Sequence, residues 1–356
     1  MESIKQYILV PYRKIYGTSM SWPLINILKL HHPEDTEKSS VRALGDLKLN
    51  KIFDELCRAY VEKNSISYKA LAREIFKVNK SSLQNWRGFN TNYKDGHPIP
   101  LWALDKILEL NGLKRTEKHT EVIKSIQYVQ CGRVSYKLKA QIYLTPELAR
   151  LCGAHAADGS LSAVKNRGPV SARWDLGDQE KENVLEARNW IKSSFDFDPI
   201  LMQKGNMSYT RSNKQILSRY LTQIFDFPIG EKSNIVKIPK ILLGKDDRIL
   251  SRIEEKIYMK LQLEFAKEVI NFDGHSTLSG GVVQAGLGSN SKQLLEDVRN
   301  IFLIAGINFH IYDNKILTTS FKESKKLYSI GLFRGQKRKK FEKLILQHAR
   351  KTEKKG

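Results

Sequence analysis

The sequence predicts an α+β protein in which two tandem αββαββα units form a pseudo-twofold pair behind an N-terminal, mostly helical domain. The pair is predicted by two similar segments, LARLCGAHAADGSLSAV (148–164) and LEFAKEVINFDGHSTLSG (263–280). Each is typical of a helix that ends in Asp-Gly and is followed at once by an alternating stretch. The same order of strands and helices follows each segment. The N-terminal domain is predicted by the helical spacing of its apolar residues.

Composition narrows the class of protein before any motif is considered. The chain has 356 residues, 41% of them hydrophobic, with 60 Lys and Arg against 38 Asp and Glu, which gives a net charge of +22. This length and apolar content predict a globular protein of more than one domain, and the charge favours a nucleic-acid partner. No stretch is apolar enough to span a membrane. Three isolated cysteines favour a reducing, intracellular location (cytoplasm or nucleoid, with an organelle left open).

The N-terminal domain is assigned to residues 1–112, of which 1–40 give no clear pattern. Ser67 is a candidate cap for one short helix, and Asn79 or Ser81 for the next. Together, residues of about 65–88 resemble a helix-turn-helix, although Phe76-Lys77-Val78 stands where that family prefers a glycine. This interpretation directs a set of polar side chains towards a major groove, including Lys80, Gln84 and Arg87. An ordinary helical hairpin remains the alternative.

Residues 113–142 are basic and β-leaning, and predict a strand-rich connector. Thr145, Pro146 and Glu147 then form a strong helix start. The first unit is assigned to 143–245, the second to 250–345, and a basic tail to 346–356. The last 22 residues hold nine Lys and Arg and predict a basic amphipathic helix with a frayed end.

The two units predict matching elements. In the first, these are strands near 160–164 and 170–176, a helix over 179–193, strands over 199–203 and 207–211, and a helix over 213–225. In the second, they are strands over 277–280 and 281–287, a helix over 292–305, strands over 308–312 and 315–321, and a helix from 323.

Each unit carries one aspartate at the end of its first helix, Asp158 and Asp273, 115 residues apart. If the two helices pack side by side, these carboxylates meet beside the free carbonyls of two helix C-termini. Such an all-oxygen, anionic pocket suits a hard divalent cation and the hydrolysis of phosphodiesters. Small residues in the first copy, among them Gly153, permit close packing, whereas the second copy is bulkier. A purely structural Asp-Gly turn is the alternative.

LCGAHAADG, and more weakly AKEVINFDG, resemble the LAGLIDADG motif of homing endonucleases, and FDFPIGEKSNIVKIPKIL (225–242) resembles a stretch that follows the first repeat in archaeal and intein-associated members. The resemblance covers roughly 143–345. It implies two saddle-shaped sheets astride DNA, with metal at Asp158 and Asp273. The earlier aspartate of the motif is replaced by Ala156 and Asn271.

The resemblance also implies a mechanism and a partner. The metal is expected to be Mg²⁺ or Mn²⁺, with Ca²⁺ supporting binding without cleavage. Lys214 and Lys322 (or Lys325) are the candidate catalytic lysines, and Asp178 a candidate for positioning water. A monomer is expected to cut a long, non-palindromic double-stranded target across the minor groove. Base and phosphate contacts are assigned to strand and loop residues of both units, namely Lys165, Arg167, Arg173, Lys204, Arg211, Gln284 and Lys315.

Other functions remain open from the sequence. An RNA-splicing maturase with intron RNA as its partner, or a non-cleaving DNA-binding regulator, would keep the same fold. A self-splicing intein is disfavoured, because residue 1 is not a nucleophile and the chain does not end in His-Asn. Nucleases that hold metal with histidine are disfavoured too, since the histidines show no such clustering.

Overall fold

The computed structural model describes residues 21–35, 39–89, 96–132, 136–164, 171–244, 246–251 and 254–353, with side chains up to residue 350. Lys165 and Arg167, two of the expected DNA contacts, lie outside these described residues, as do residues 1–20 and the last three of the chain. Within the described ranges no helix is both long and apolar enough to cross a membrane.

The N-terminal part combines helices with a four-stranded antiparallel sheet. Its helices are α1 (Asp46–Asn64), α2 (Tyr68–Ala70), which continues into a π-helical turn over Leu71–Ile75, α3 (Lys80–Trp86), α4 (Leu101–Leu110) and α5 (Glu117–Ser125). Its strands are β1 (Val41–Leu44), β2 (Ile99–Pro100), β3 (Tyr128–Cys131) and β4 (Leu138–Lys139), in the order β2-β1-β3-β4. The predicted connector therefore supplies two strands and the unpredicted helix α5, all packed into this part.

The helix-turn-helix segment has the capping that the sequence predicts. The side chain of Ser67 accepts a hydrogen bond from the Ala70 N–H, and that of Asn79 accepts one from the Ser82 N–H. The joint needs one residue in the left-handed region, and Lys77 takes it with a φ of 54°. The fold thus uses lysine where glycine is the easier residue.

The two repeats share one order of elements, which is the order that the sequence predicts. The first contains α6 (Pro146–Asp158), β5 (Gly159–Ala163), β6 (Ala172–Asp178), α7 (Lys181–Phe195), β7 (Ile200–Lys204), β8 (Met207–Ser212) and α8 (Gln215–Arg219), which runs into a π-helical turn over Tyr220–Ile224. The second contains α9 (Glu255–Asp273), β9 (Gly274–Ser279), β10 (Val282–Gly288), α10 (Lys292–Ile304), β11 (Phe309–Tyr312), β12 (Lys315–Thr318) and α11 (Phe321–Ser329). A further helix, α12 (Gly335–Glu353), is the predicted basic C-terminal helix.

Sheet topology is also shared. The strand orders are β5-β6-β8-β7 in the first repeat and β9-β10-β12-β11 in the second, with every neighbouring pair antiparallel. In both, the strand that leaves the motif helix is an edge strand. The end of each motif helix therefore lies at the same place relative to its sheet.

A short N-terminal segment joins the N-terminal part to both repeats. Leu24 forms a β-bridge with Tyr143, at the start of repeat 1, and Ile25 forms one with Ile249, just before repeat 2. Close by, the buried guanidinium of Arg219 on α8 forms an ion pair with the buried carboxylate of Asp35. Because an unpaired buried charge is costly, this pair ties the segment firmly to repeat 1.

Candidate active site and nucleic-acid interface

The motif helices α6 and α9 touch through their backbones at Gly153. A Cβ on Gly153 would lie 2.2 Å from the Phe265 carbonyl oxygen and 3.0 Å from the Glu268 Cβ. Any side chain here would push the helices apart. The predicted small-residue contact is therefore present at this position, and the bulkier residues of α9 fill the space that Gly153 leaves.

Two arginines neutralise the carboxylates that this contact buries. Glu264 and Glu268, one turn apart on α9, are 2% and 1% exposed. The Arg150 Nε donates to Glu264 at 2.7 Å, and Arg334 donates to both oxygens of Glu268 at 2.7 and 2.6 Å. Bidentate and charge-assisted bonds of this kind offset the loss of water around each carboxylate.

Asp158 and Asp273 are the last residues of α6 and α9, and each is followed directly by a strand. The glycines that follow them have extended backbones, not left-handed ones. Their role is spatial, because a Cβ on Gly159 would meet the His155 ring at 2.2 Å and one on Gly274 would meet the Ile270 carbonyl oxygen at 2.2 Å. Asp-Gly is thus the sequence signature of a strand that leaves sharply from a helix end.

The two aspartates meet at the ends of the paired helices. Their carboxyl groups lie within hydrogen-bonding reach of each other, and both remain open to solvent. Although both side chains reach solvent, the protein around them removes part of the water from each carboxyl group; this partial burial, and then the charge of Asp273, raise the pKa of Asp158 to about 7, and partial burial raises the pKa of Asp273. Two carboxylates that repel each other in this way favour a bound proton or a cation between them.

Two lysines bind the backbone carbonyls beside these aspartates. Lys232 donates from Nζ to the Ala156 and Ala157 oxygens at 2.5 and 2.6 Å, at the end of α6. Lys337 donates to the Asn271 oxygen at 3.4 Å and to the Phe272 oxygen, at the end of α9. These carbonyls occupy equivalent positions, two and one residues before each aspartate. The prediction that these carbonyls form part of an all-oxygen pocket is therefore corrected. On each side of the site, a lysine ammonium group binds the helix-end carbonyls.

Burial lowers the pKa of Lys232 to about 8, against the opposing effect of Asp273 and Asp158. Its ammonium group is thus held close to the carboxylate pair and poorly solvated. A cation so placed lies ready to interact with a negatively charged phosphate.

The lysines expected from the resemblance have no described bond to the helix-end carbonyls or to the two aspartates. The Lys214 Nζ lies 3.7 Å from the centre of the Tyr136 ring, and Lys322 is exposed in the first turn of α11. Sequence reasoning missed Lys232 and Lys337. Lys232 lies within 225–242, so a signal for it was present. Lys337 offered none, because it is one of many cations in a basic helix.

Asp178, at the end of β6, is 4% exposed and close enough to raise the pKa values of both motif aspartates. One of its oxygens accepts from the Glu180 N–H at 2.9 Å, and the other from the Asn183 side chain at 2.6 Å. Gly288 ends the matching strand of the second repeat. The two sides of the site therefore differ in charge.

Beside Asp273 the structure forms an open cleft of about 500 Å³. It is lined by the end of α6 in repeat 1, by the segment between the repeats and by repeat 2, and its lining includes Ala156, Ala157, Lys232, Ser233, Asp273, His275, Ser289, Asn290, Asn314 and Lys315. The expected DNA contact Lys315 thus lies beside the carboxylate pair.

The carboxylate pair fits a hard divalent cation. Both acids are open to solvent, adjacent and mutually repelling, which is the ligand chemistry that Mg²⁺ and Mn²⁺ prefer. In the described part of the chain no cluster of three or more His, Cys, Asp or Glu side chains could hold a metal.

The remaining expected DNA contacts fall into two groups. Lys204 is exposed on β7, and Lys80 and Gln84 are exposed on α3, whereas Gln284 is half-buried on β10. Arg173 and Arg211 lie on the outward face of the first sheet and are both bound to Asp175.

Arg87 is committed to the fold of the N-terminal part. It donates from Nε to Asp54 at 2.5 Å, its guanidinium lies 3.6 Å from the centre of the Tyr68 ring, and its side chain is 9% exposed. The expectation that Arg87 faces outward is therefore corrected.

Comparisons with known proteins give distant similarities. No protein-family profile matches the chain. Over 267 residues it is 26% identical to a probable translation initiation factor IF-2 of Methanocaldococcus jannaschii, which covers 74% of this chain and 20% of that protein. The chain thus spans about a fifth of the length of this relative.

Among solved structures, the chain is similar to I-DmoI in complex with DNA and Mn, with 16% identity, a TM-score of 0.37, and coverage of 52% of this chain and 96% of that one. It is also similar to the homing endonuclease I-WcaI bound to its DNA recognition sequence, with 12% identity, a TM-score of 0.37, and coverage of 55% and 85%. Because these identities and TM-scores are low, we describe the fold from the topology of the chain itself. That topology is a pair of αββαββα units joined through their motif helices, the architecture that the resemblance to LAGLIDADG homing endonucleases implied.

Proposed function

We propose that the chain is a site-specific endonuclease of the homing kind, which hydrolyses one phosphodiester in each strand of double-stranded DNA. One observation carries this proposal: two carboxylates from equivalent repeat positions meet at the ends of paired helices, each helix end bound by a lysine. A DNA duplex has two equivalent strands, so a pseudo-twofold site of this kind matches two phosphodiesters.

Asp158 and Asp273 would hold the divalent metal. When bound, such an ion supplies an acidified water and neutralises charge on the scissile phosphate. The lysines would act beside it. Their ammonium groups stabilise charge on the phosphate and keep the helix ends, and hence the two carboxylates, in place.

The outer sheet faces would bind the DNA. Lys204, Lys315 and Gln284 would contact phosphates and base edges there, and the Arg173–Asp175–Arg211 cluster would present a more rigid, partly neutralised group. Because the two faces differ in these residues, the target would be non-palindromic. The exposed Lys80 and Gln84 on α3 would add a second contact, on DNA outside the cleavage site.

Selection of cleaved sites from a random DNA library tests the proposal. With Mg²⁺ or Mn²⁺ we expect a defined site with a staggered break, and with Ca²⁺ we expect binding without cleavage. Asp158→Asn and Asp273→Asn should each abolish cleavage or leave only nicking. Asp198→Asn is the matched control, since this exposed aspartate pairs only with Arg188 on the surface among the described contacts.

Full cleavage by both motif variants would refute the proposed site. Tight binding of intron RNA with promotion of splicing, and no DNA cleavage under any metal, would instead favour a maturase.

A further inference from the structure

The start of α12 is held by repeat 1, although α12 follows repeat 2 in the chain. Glu180, which precedes α7, accepts hydrogen bonds from the N–H groups of Gln336 at 2.7 Å and of Lys337 at 3.0 Å. One carboxylate thus satisfies two free donors in the first turn of a 19-residue helix, where a negative charge is also favoured by the helix dipole.

The Glu180 carboxylate can lie where it does only because residue 335 is a glycine. A Cβ on Gly335, which has a φ of 53°, would lie 2.1 Å from a Glu180 carboxylate oxygen. The carboxylate therefore occupies the space of the missing side chain. Glu180 and the start of α12 are therefore in direct contact where the two repeats meet.

The residue whose N–H binds Glu180 is the one whose side chain reaches the candidate active site. The Lys337 ammonium group donates to the Asn271 and Phe272 carbonyls at the end of α9. The position of its backbone therefore decides whether its side chain reaches those carbonyls and the neighbouring aspartates.

Further bonds tie the same junction together. Asn183 on α7 donates to Asp178 at 2.6 Å and to the Asn271 carbonyl at 3.0 Å, and it accepts from Arg334 at 3.1 Å. The Asn271 side chain accepts from the Phe333 N–H at 2.7 Å. The segment that delivers Lys337 is thus held by Glu180 and Asn183 of repeat 1 and by Asn271 of repeat 2.

Lys232 is delivered differently. It follows α8 of repeat 1 and binds the end of α6 in the same repeat, and the nearby Gly230 N–H donates to the Leu161 carbonyl of β5 at 2.8 Å. Each of these contacts lies within repeat 1 or the segment that follows it. A change at Glu180 therefore acts on one of the two lysines.

We propose that Glu180 is a positioning residue, which places Lys337 from across the repeat junction and so makes the cleavage of one DNA strand depend on contact between the repeats. The inference rests on the proposed endonuclease function. It adds that the rates of cleavage of the two DNA strands can be changed separately, by substituting a residue that contacts neither DNA nor metal.

The test follows both cuts on a supercoiled plasmid that carries the selected target. For Glu180→Ala we expect nicked circles to accumulate, because the cut in one strand slows by about tenfold while the cut in the other strand keeps its rate. A tenfold loss corresponds to about 1.4 kcal/mol of transition-state stabilisation. Lys337→Ala should slow the same strand. The double variant should be no slower than Lys337→Ala, since both changes remove one interaction.

Glu296→Ala is the matched control, as it removes an exposed carboxylate from α10, the counterpart of α7 in repeat 2, without removing a described bond to α12. Hydrogen exchange gives a readout that does not need cleavage: the Gln336 and Lys337 amides should lose protection in Glu180→Ala and keep it in Glu296→Ala. Glu180→Gln, which retains an acceptor oxygen, should lie between Glu180→Ala and the parent protein.

Equal slowing of both strands, unchanged rates, or global unfolding of Glu180→Gln would overturn this inference. If the parent protein cuts no DNA, the endonuclease proposal fails by itself, and the exchange measurement still decides whether Glu180 positions the start of α12.

Discussion

Lys232 and Lys337 show how the same contact can be made by residues with unrelated positions in the chain. One lies in an extended segment after α8, and the other in the first turn of α12, yet both bind the last carbonyls of a motif helix. A cation is favoured at a helix C-terminus by the helix dipole and by the free carbonyls there. The equivalence is therefore one of position in space, which spacing along a sequence does not record.

Substitution distinguishes this pair from the lysines that the resemblance suggested. If the proposed function holds, Lys232→Met and Lys337→Met should each lower the rate of double-strand cleavage by about a hundredfold, because each removes a positive charge beside the carboxylate pair. Lys214→Met and Lys322→Met are the matched controls and should change it by less than about threefold. Single-turnover cleavage measured at saturating DNA would show the difference. If Lys214→Met and Lys322→Met slowed cleavage more than Lys232→Met and Lys337→Met did, the catalytic role would be assigned to Lys214 and Lys322 instead.

His119 is a neutral histidine in the core of the N-terminal part, 1% exposed. Its Nδ1 accepts from the Arg115 N–H at 3.0 Å, and its Nε2 lies 3.3 Å from the Asn26 side-chain oxygen. Burial, and then the charge of Lys114, lower its pKa to about 4. The unfolded chain therefore binds a proton on this residue at a higher pH than the folded one.

It follows that folding is weakened by acid through His119. The contribution is fully present above the unfolded pKa of about 6.5 and is lost as the pH falls from there to about 4, by about 3 kcal/mol in all. His119→Gln should flatten this part of the pH dependence of the free energy of unfolding, measured by urea denaturation. A wild-type slope in that variant would assign the effect to other groups, such as the buried His155.

At the scale of elements, the fold depends on how closely α6 approaches α9. Regular patterns predicted both helices, the Thr145 cap of α6 and the strands that follow the helices, because those signals are local. The pairing of β1 with β3 joins residues such as Val41 and Cys131, about ninety positions apart, and no local signal reports it. The two site lysines were missed for the same reason. The signals of α5, a Thr116 cap and an apolar face with Val122 and Ile123, are local but lie in a segment of β-leaning composition. The motif aspartates were predicted because the sequence repeats itself.

Gly153→Val tests the helix contact. The added side chain would meet the Phe265 carbonyl, so the helices must separate, and we expect a loss of about 2–3 kcal/mol in the free energy of unfolding. Metal-dependent cleavage should fall further than stability does, since the aspartates move apart. Gly288→Ala is the control, because its Cβ would meet only the Asn314 carbonyl oxygen at 3.7 Å. An unchanged stability in Gly153→Val would contradict the close backbone contact.

At the scale of the whole molecule, the net charge of +22 has a definite arrangement. Cations are exposed on α3, β7 and α12, at distant points of the chain, whereas the carboxylate pair lies where the repeats meet. A surface of this kind would bind phosphates over a long stretch of duplex. Composition alone favoured a nucleic-acid partner, but it could not place the acidic centre within the basic surface.

The dependence of DNA binding on salt measures that surface. Each phosphate contact contributes about 0.9 to the slope of log K against log salt. Lys80→Ala and Lys204→Ala should each lower the slope by about one, whereas Arg87→Ala should act through the stability of the N-terminal part, since Arg87 is bound to Asp54. Titrations at several salt concentrations with Ca²⁺ present would show this. A slope unchanged by Lys80→Ala would remove α3 from the DNA interface.

The strand-like segment around Leu24 and Ile25 limits how the pair of repeats could be transferred to another protein. It is bridged on one side to the start of repeat 1 and on the other to the residues that lead into repeat 2, and Asp35 just beyond it satisfies the charge of Arg219. A graft of residues 143–350 onto another protein would therefore expose two open backbone edges and a buried, uncompensated arginine. An engineer who exchanges the N-terminal part for a different module should therefore keep residues 22–35 together with the two repeats.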